Sequence, residues 1–216
     1  MVKRLKNNGK QKKLLVVIFI EGDTEVEFYQ KMVTHIRGKM GGRLFVKTAV
    51  RNLKGINNFQ NKAQRTFEKK IKVEYPPADY FYKVLLCYDT DVFRFAKKPP
   101  VDWDQVERML YVSGATEVYH IKANASIEDW FLYDLEGIRK FLQAPKNDKI
   151  EGYKGQAGLE RLFVKYNKTY IKGSKCSGLV DKLNMNIIFP KVCGEIREFC
   201  MALGMRCDDD KLCKEE

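Results

Sequence analysis

The sequence predicts an α/β protein: a parallel sheet of about four strands flanked by helices, Rossmann-like in its layering, followed by an all-helical C-terminal region. Three observations lead there. Short apolar, β-branched or aromatic runs alternate with segments of helical periodicity as far as residue 141. The run over 14–20 is apolar on both faces, as a strand covered by helices on both sides must be. After Ala144-Pro145 the strand-like runs stop and only helical spacing continues.

Residues 1–13 carry six basic and no acidic side chains without periodicity, which reads as a flexible basic arm. The first strand, 14–20, ends at Glu21-Gly22-Asp23-Thr24, where Asp23 or Thr24 can cap a helix over 24–36. Val26, Tyr29, Met32, Val33 and Ile36 give that helix an apolar stripe. A glycine-rich basic loop (37–43) precedes an alternating strand at 44–50. A basic segment with Arg51, Lys54 and Gly55 then leads to a helix over 58–73, ended by Tyr75-Pro76-Pro77. Residues 80–88 form a strong strand that runs straight into Asp89-Thr90-Asp91. Asp102 or Asp104 caps a helix to about residue 112, closed by Gly114; 117–121 is a fourth strand and 125–141 a helix. Further helices are expected at 156–166, 177–183 and 190–203, the last with Pro190 at its start and Gly204 past its end. The chain then divides into an arm (1–13), an α/β domain (14–145) and a helical subdomain (146–216).

Composition narrows the function classes. Apolar residues at 44% support a packed core, and no apolar run reaches the roughly 18 residues of a membrane span. The apolar run after Lys12 and Lys13 is too short for a secretory signal, so a cytoplasmic protein is expected. No CxxC pair occurs. The seven-residue spacing of Cys193, Cys200 and Cys207 fits small apolar residues on one helical face better than a metal or disulfide cluster. The net charge of +12 is segregated: residues 1–72 carry 18 Lys and Arg against 5 Asp and Glu, and the remainder is balanced. Such a region suits phosphate backbones, with Arg37, Lys39, Arg43, Arg51 and Lys54 as the expected contacts to RNA or DNA.

In an open parallel sheet the functional crevice lies beyond the carboxyl ends of the strands. Glu21 follows the first strand, and Asp89 and Asp91 follow the third. Two aspartates two residues apart can both turn toward one ion as the chain leaves the sheet. Mg²⁺ needs only one or two carboxylates besides waters and substrate oxygens. Asp91 or Asp23 alone is explained by helix capping; Glu21, at the end of a buried strand, is not.

The segment 16–25 (VVIFIEGDTE) together with 85–91 (LLCYDTD) resembles the two signature blocks of the Toprim domain, shared by primases, topoisomerases and the nucleases of the OLD, RloB-like and ribosomal-RNA-maturase groups. The EGxTE form is similar to the nuclease branch, and 124–132 (NASIEDWFL) resembles a block of RloB-like proteins. The resemblance covers about residues 14–135. It implies a Toprim-like fold and a Mg²⁺- or Mn²⁺-dependent nuclease. Glu21 would then be the acid/base or metal-positioning glutamate, Asp89 and Asp91 metal ligands, Glu25 an aid to a second ion and Glu128 an auxiliary carboxylate. Glu128 is explained almost as well as a helix N-terminal acid. No transesterifying-tyrosine, zinc or helicase-binding module accompanies the blocks, so topoisomerase and primase activities are not expected. No GxxxxGK[ST] segment occurs, so any OLD-type ATPase would be a separate partner. The likeness also implies a setting in bacterial or phage defence.

Of the remaining polar residues, Lys122 just past the fourth strand is a candidate for touching a scissile phosphate, although an ordinary exposed lysine explains it too. His35 and His120 read as structural, and Trp130 with Phe131 as core. The loop YNKTYIKGSK (166–175) suits either a nucleic-acid grip or a plain connection. Sheet-edge pairing would allow a homodimer. Two rivals to the nuclease remain: a non-catalytic nucleic-acid-binding module of the same fold, and a metabolic enzyme acting on a small phosphorylated substrate. The charge segregation argues against the second.

Overall fold

The structure, a computed structural model, describes residues 6–7, 10–41, 46–91, 101–174, 176 and 178–205. Within the stretch expected to be an arm, β1 (Lys6–Asn7) and β2 (Lys10–Gln11) form a short antiparallel pair. The main sheet consists of β3 (Lys13–Ile20), β4 (Lys47–Asn52), β5 (Tyr80–Asp89) and β6 (Ala115–Ala123), in the order β4-β3-β5-β6 with every pair parallel. The expected α/β class and four-stranded parallel sheet are thus present.

Helices cover both faces, which is why β3 is apolar and buried from Leu14 to Ile20. Val16, Ile18 and Ile20 meet α1 (Asp23–Lys39), where Phe28, Tyr29, Met32, Val33 and Ile36 are buried. Leu15, Val17 and Phe19 face the opposite layer, made by α2 (Asn58–Thr66), its continuation through a π-helical turn (Phe67–Ile71) and α3 (Lys72–Glu74), and α4 (Trp103–Val112). Asp102 caps α4 by accepting the Gln105 N–H at 2.9 Å.

The C-terminal half differs from expectation in two places. The single helix expected over 125–141 is two, α5 (Ile127–Phe131) and α6 (Leu135–Leu142), because Asp134 accepts the Gly137 N–H at 3.0 Å and starts a new helix. After α7 (Gly155–Lys165) and α8 (Leu179–Lys182), the helix expected over 190–203 is also two: α9 (Met185–Val192) and α10 (Arg197–Ala202). Pro190 lies inside α9 instead of opening a helix, and lacking an N–H it cannot extend the ladder. The break at 193–196 contains Cys193, whereas Cys200 lies on α10, so the two do not share one helical face. Cys193 is disulfide-bonded, not a plain apolar filler; Cys200 is buried on α10, and Cys207 lies outside the described residues.

Leu159, Leu162, Phe163, Ile188, Phe189 and Phe199 share one apolar core with α1 and the first sheet face. The late helices therefore complete the layer over α1. Among the described residues no helix is long and apolar enough to cross a membrane.

This topology fixes where a site can form. β3 leads through α1 to β4 on one side, whereas β5 leads through α4 to β6 on the other. The strand order reverses between β3 and β5, and a crevice opens beyond their carboxyl ends.

Candidate functional site

Glu21 leaves β3 into that crevice, and Asp89 is the last residue of β5 beside it. The two are joined directly: Glu21 Oε1 accepts the Asp89 N–H at 2.9 Å. Glu25, in the first turn of α1, folds back so that its Oε2 accepts the Glu21 N–H at 3.1 Å. Asp89 Oδ1 accepts the N–H of Ile127 at 2.8 Å, at the start of α5, which places Glu128 alongside. Thr90 clamps the two strand ends together. Its N–H and hydroxyl both reach Ala123 O, its Oγ1 accepts the Ala125 N–H at 2.9 Å, and the Asp91 N–H reaches Ala125 O at 2.9 Å. Ala125 takes a left-handed backbone (φ 70°) to make this turn, the kind of local strain that concentrates at functional sites.

Five carboxylates are gathered here, three of them buried: Glu25, Asp89 and Glu128, the last only 1% exposed. Burial, with Asp89 adding repulsion, pushes Glu21 up to about 7. Burial raises Asp89 to about 6 even though Lys172 opposes it, and burial with the charges of Asp89 and Glu21 holds Glu25 well above its ordinary range.

The cation inside this cluster is Lys172, from the loop between α7 and α8. Its Nζ is 2.7 Å from Asp89 Oδ2 and 3.3 Å from Asp91 Oδ2. Burial disfavours its charge, but Asp89 more than compensates and its pKa lies above the ordinary lysine value. The loop is tied to the turn after β3: the Asp23 N–H donates to Gly173 O at 2.9 Å and the Thr24 hydroxyl to Ser174 O. Gly22 is required by this contact, since a Cβ there would lie 2.6 Å from Gly173 Cα. Next to it the Tyr170 hydroxyl donates to Glu128 Oε1 at 2.8 Å.

The donor set fits a hard divalent cation, being all oxygen and concentrated at one strand-end crevice. Asp91 Oδ1 and Glu128 Oε2 are buried without a hydrogen-bond partner. Among the described residues, however, no three acidic, histidine or cysteine groups already close around a point as ligands. The Lys172 ammonium stands among them.

Lys122 does not join the acids. It is exposed on edge strand β6 and lines a separate cavity of about 490 Å³ with His120, Glu195 and Glu198. Neither histidine is at the cluster: His120 bonds Tyr88 and Glu107, and His35 packs on Phe189. Arg37 donates to Val46 O at 2.8 Å and Arg51 pairs with Glu74, so both tie elements together. Lys39 is exposed at the end of α1, and Arg43 lies outside the described residues. Lys54 reaches the crevice rim, where its Nζ is 2.7 Å from Asp23 Oδ2.

Two expected results arise from this geometry. Tyr170→Phe removes the hydroxyl that satisfies Glu128 Oε1 and leaves a buried carboxylate oxygen without a donor. A loss of about 1–3 kcal/mol in urea unfolding is expected; unchanged stability would contradict the bond. The second result concerns pH. The folded state binds the Glu21 proton up to about pH 7, the unfolded chain only to about pH 4.5. Glu21 therefore contributes stability that is full below the lower value and is lost as pH rises through the upper one. Glu21→Gln does not ionise, so in EDTA its melting temperature should gain on wild type between about pH 5 and pH 7.5. A pH-independent difference would refute the raised value.

A scan of protein-family models, a search of curated proteins and a search of solved structures each find no match to the chain.

Proposed function

We propose that the chain is a Mg²⁺-dependent nuclease that hydrolyses phosphodiester bonds in RNA or DNA, as its resemblance to Toprim nucleases implies. The carrying observation is the convergence of Glu21, Glu25, Asp89, Asp91 and Glu128 at one switch point, where Lys172 is the one cation paired with them among the described residues. Proteins do not hold so much buried carboxylate without protons or cations to offset it. Asp89, Asp91 and Glu128 are the residues to hold Mg²⁺ or Mn²⁺, with Glu25 behind them. Bound there, the ion supplies Lewis-acid stabilisation of charge on the scissile phosphate.

Glu21, titrating at about 7, is matched to taking a proton from the attacking water or returning one to the leaving oxygen. Exposed Lys54, Lys62, Arg65, Lys69 and Lys70 hold the polyanion backbone. The same resemblance implies a setting in bacterial or phage defence, where any OLD-type ATPase coupling would need a separate protein.

Labelled single- and double-stranded RNA and DNA, incubated with Mg²⁺, Mn²⁺ or EDTA, test the reading. Cleavage dependent on the ion supports it and names the polymer. One observation favours the rival binding module: Lys172 already gives Asp89 and Asp91 a counter-charge. Salt-sensitive binding without cleavage of any polymer would favour that rival.

A further inference from the structure

We propose that Lys172 and a divalent ion compete for the same carboxylate oxygens, so that 171–174 acts as a strap that must leave the crevice before the site takes metal. The proposal rests on the metal-site reading above and adds its regulation. Lys172 Nζ contacts one oxygen of Asp89 and one of Asp91, the two acids best placed to hold an ion together. A monovalent ammonium and a divalent cation repel each other, so Lys172 on Asp89 Oδ2 and Asp91 Oδ2 opposes an ion that draws on the same two carboxylates. Lys172 is therefore a tethered cation: it keeps the acids together without metal and opposes metal entry.

The strap is built to release. Among the described residues, apart from the Lys172 ion pairs, its hydrogen bonds to the rest of the chain fall at the turn following Glu21: Asp23 N–H to Gly173 O, and the Thr24 hydroxyl to Ser174 O. Ile171 is 61% exposed, so little apolar surface opposes its movement. A cavity of about 380 Å³ adjoins it, with Phe141, Phe163, Lys168, Ile171 and Ser174 in its lining. Gly173 adopts a left-handed backbone (φ 75°) that other residues enter at a cost, which makes it the point where the strap turns toward the acids. Tyr170, 5% exposed and bonded to Glu128, is the fixed hinge end. Because the strap docks on 22–24, the helix start that carries Glu25, its release is sensed at the site itself.

The test is Mn²⁺ binding by titration calorimetry, with hydrogen exchange of the Gly173 and Ser174 amides read in parallel. Lys172→Met keeps the length and apolar stem and removes the charge. It should bind Mn²⁺ at least about tenfold more tightly than wild type, a gain of about 1.4 kcal/mol. Lys172→Arg should stay near wild type. Thr24→Val releases the strap without touching an acid and should tighten binding by a smaller factor, which keeps the test decisive if Lys172→Met does not fold. In wild type, Mn²⁺ should speed exchange at Gly173 and Ser174. If wild type binds Mn²⁺ and both variants bind no tighter, the competition is overturned while the metal site stands. If wild type and variants all fail to bind Mn²⁺, the metal reading itself falls, and the strap with it.

Discussion

On the nuclease reading proposed above, Asp89→Asn should abolish metal-dependent cleavage, a loss of at least about 1000-fold or roughly 4 kcal/mol of transition-state stabilisation, while nucleic-acid affinity is kept or rises slightly. Asp89 is the residue on which the crevice is organised. Its N–H anchors Glu21, its Oδ1 receives Ile127, and its Oδ2 pairs with Lys172. Asparagine preserves the size and the backbone N–H, and its carbonyl can still accept from Ile127, so the fold should survive. It loses the charge that would hold an ion, and in its place an amide N–H₂ can face the Lys172 ammonium. Fewer negative charges near a bound phosphate remove a repulsion, hence the unchanged or tighter binding when both proteins are compared in EDTA. Cleavage and filter-binding assays on the same preparation separate the two effects. A variant that cuts like wild type would remove Asp89 from the chemistry.

Trp130→Ala should cost about 3–5 kcal/mol of stability, read as a lower urea midpoint with an unchanged slope. Trp130 is 1% exposed, with ring centroids 6.1 Å from Phe28 and 6.5 Å from Tyr29, and it fills the junction between α1, α5 and the late helices. Truncation empties that volume. It also removes the indole N–H that Glu195 Oε2 accepts at 3.2 Å, in the loop leading to α10. The residue sits one position from Asp129 and two from Glu128, so loosening here should also blur the acid cluster. A change below about 1 kcal/mol would mean the aromatic junction is not the keystone its burial suggests.

The sheet was legible because its signal is local. The two-faced apolar pattern of β3 and the clean run of β5 survive tertiary context, and the acids stand in the sequence directly after those strand ends. Helix boundaries in the second half were not legible: Asp134 interrupts an apolar pattern that would otherwise read as continuous, and Pro190, which reads as a helix start, lies inside α9. The cation at the acids was also missed. Lys122 was the lysine nearest in strand logic, but it sits on the open edge of β6, whereas Lys172 arrives from 81 residues beyond Asp91. No periodicity announces such a partner. The one signal was the composition of the loop around it, basic, aromatic and glycine-containing, which by itself is equally a connector.

The distances along the chain between contacting groups at the crevice carry a consequence for how the protein is made. Glu21 meets Asp89 across 68 residues, and Thr24 meets Ser174 across 150. On a ribosome, β3 and α1 emerge long before residue 172, yet the acids gain the Lys172 ammonium only after that residue has been synthesised and has reached back. Until then the growing chain carries mutually repelling carboxylates at the end of its central strands. Closure of such long loops is slow relative to local helix formation, so the crevice should order later than the helices beside it.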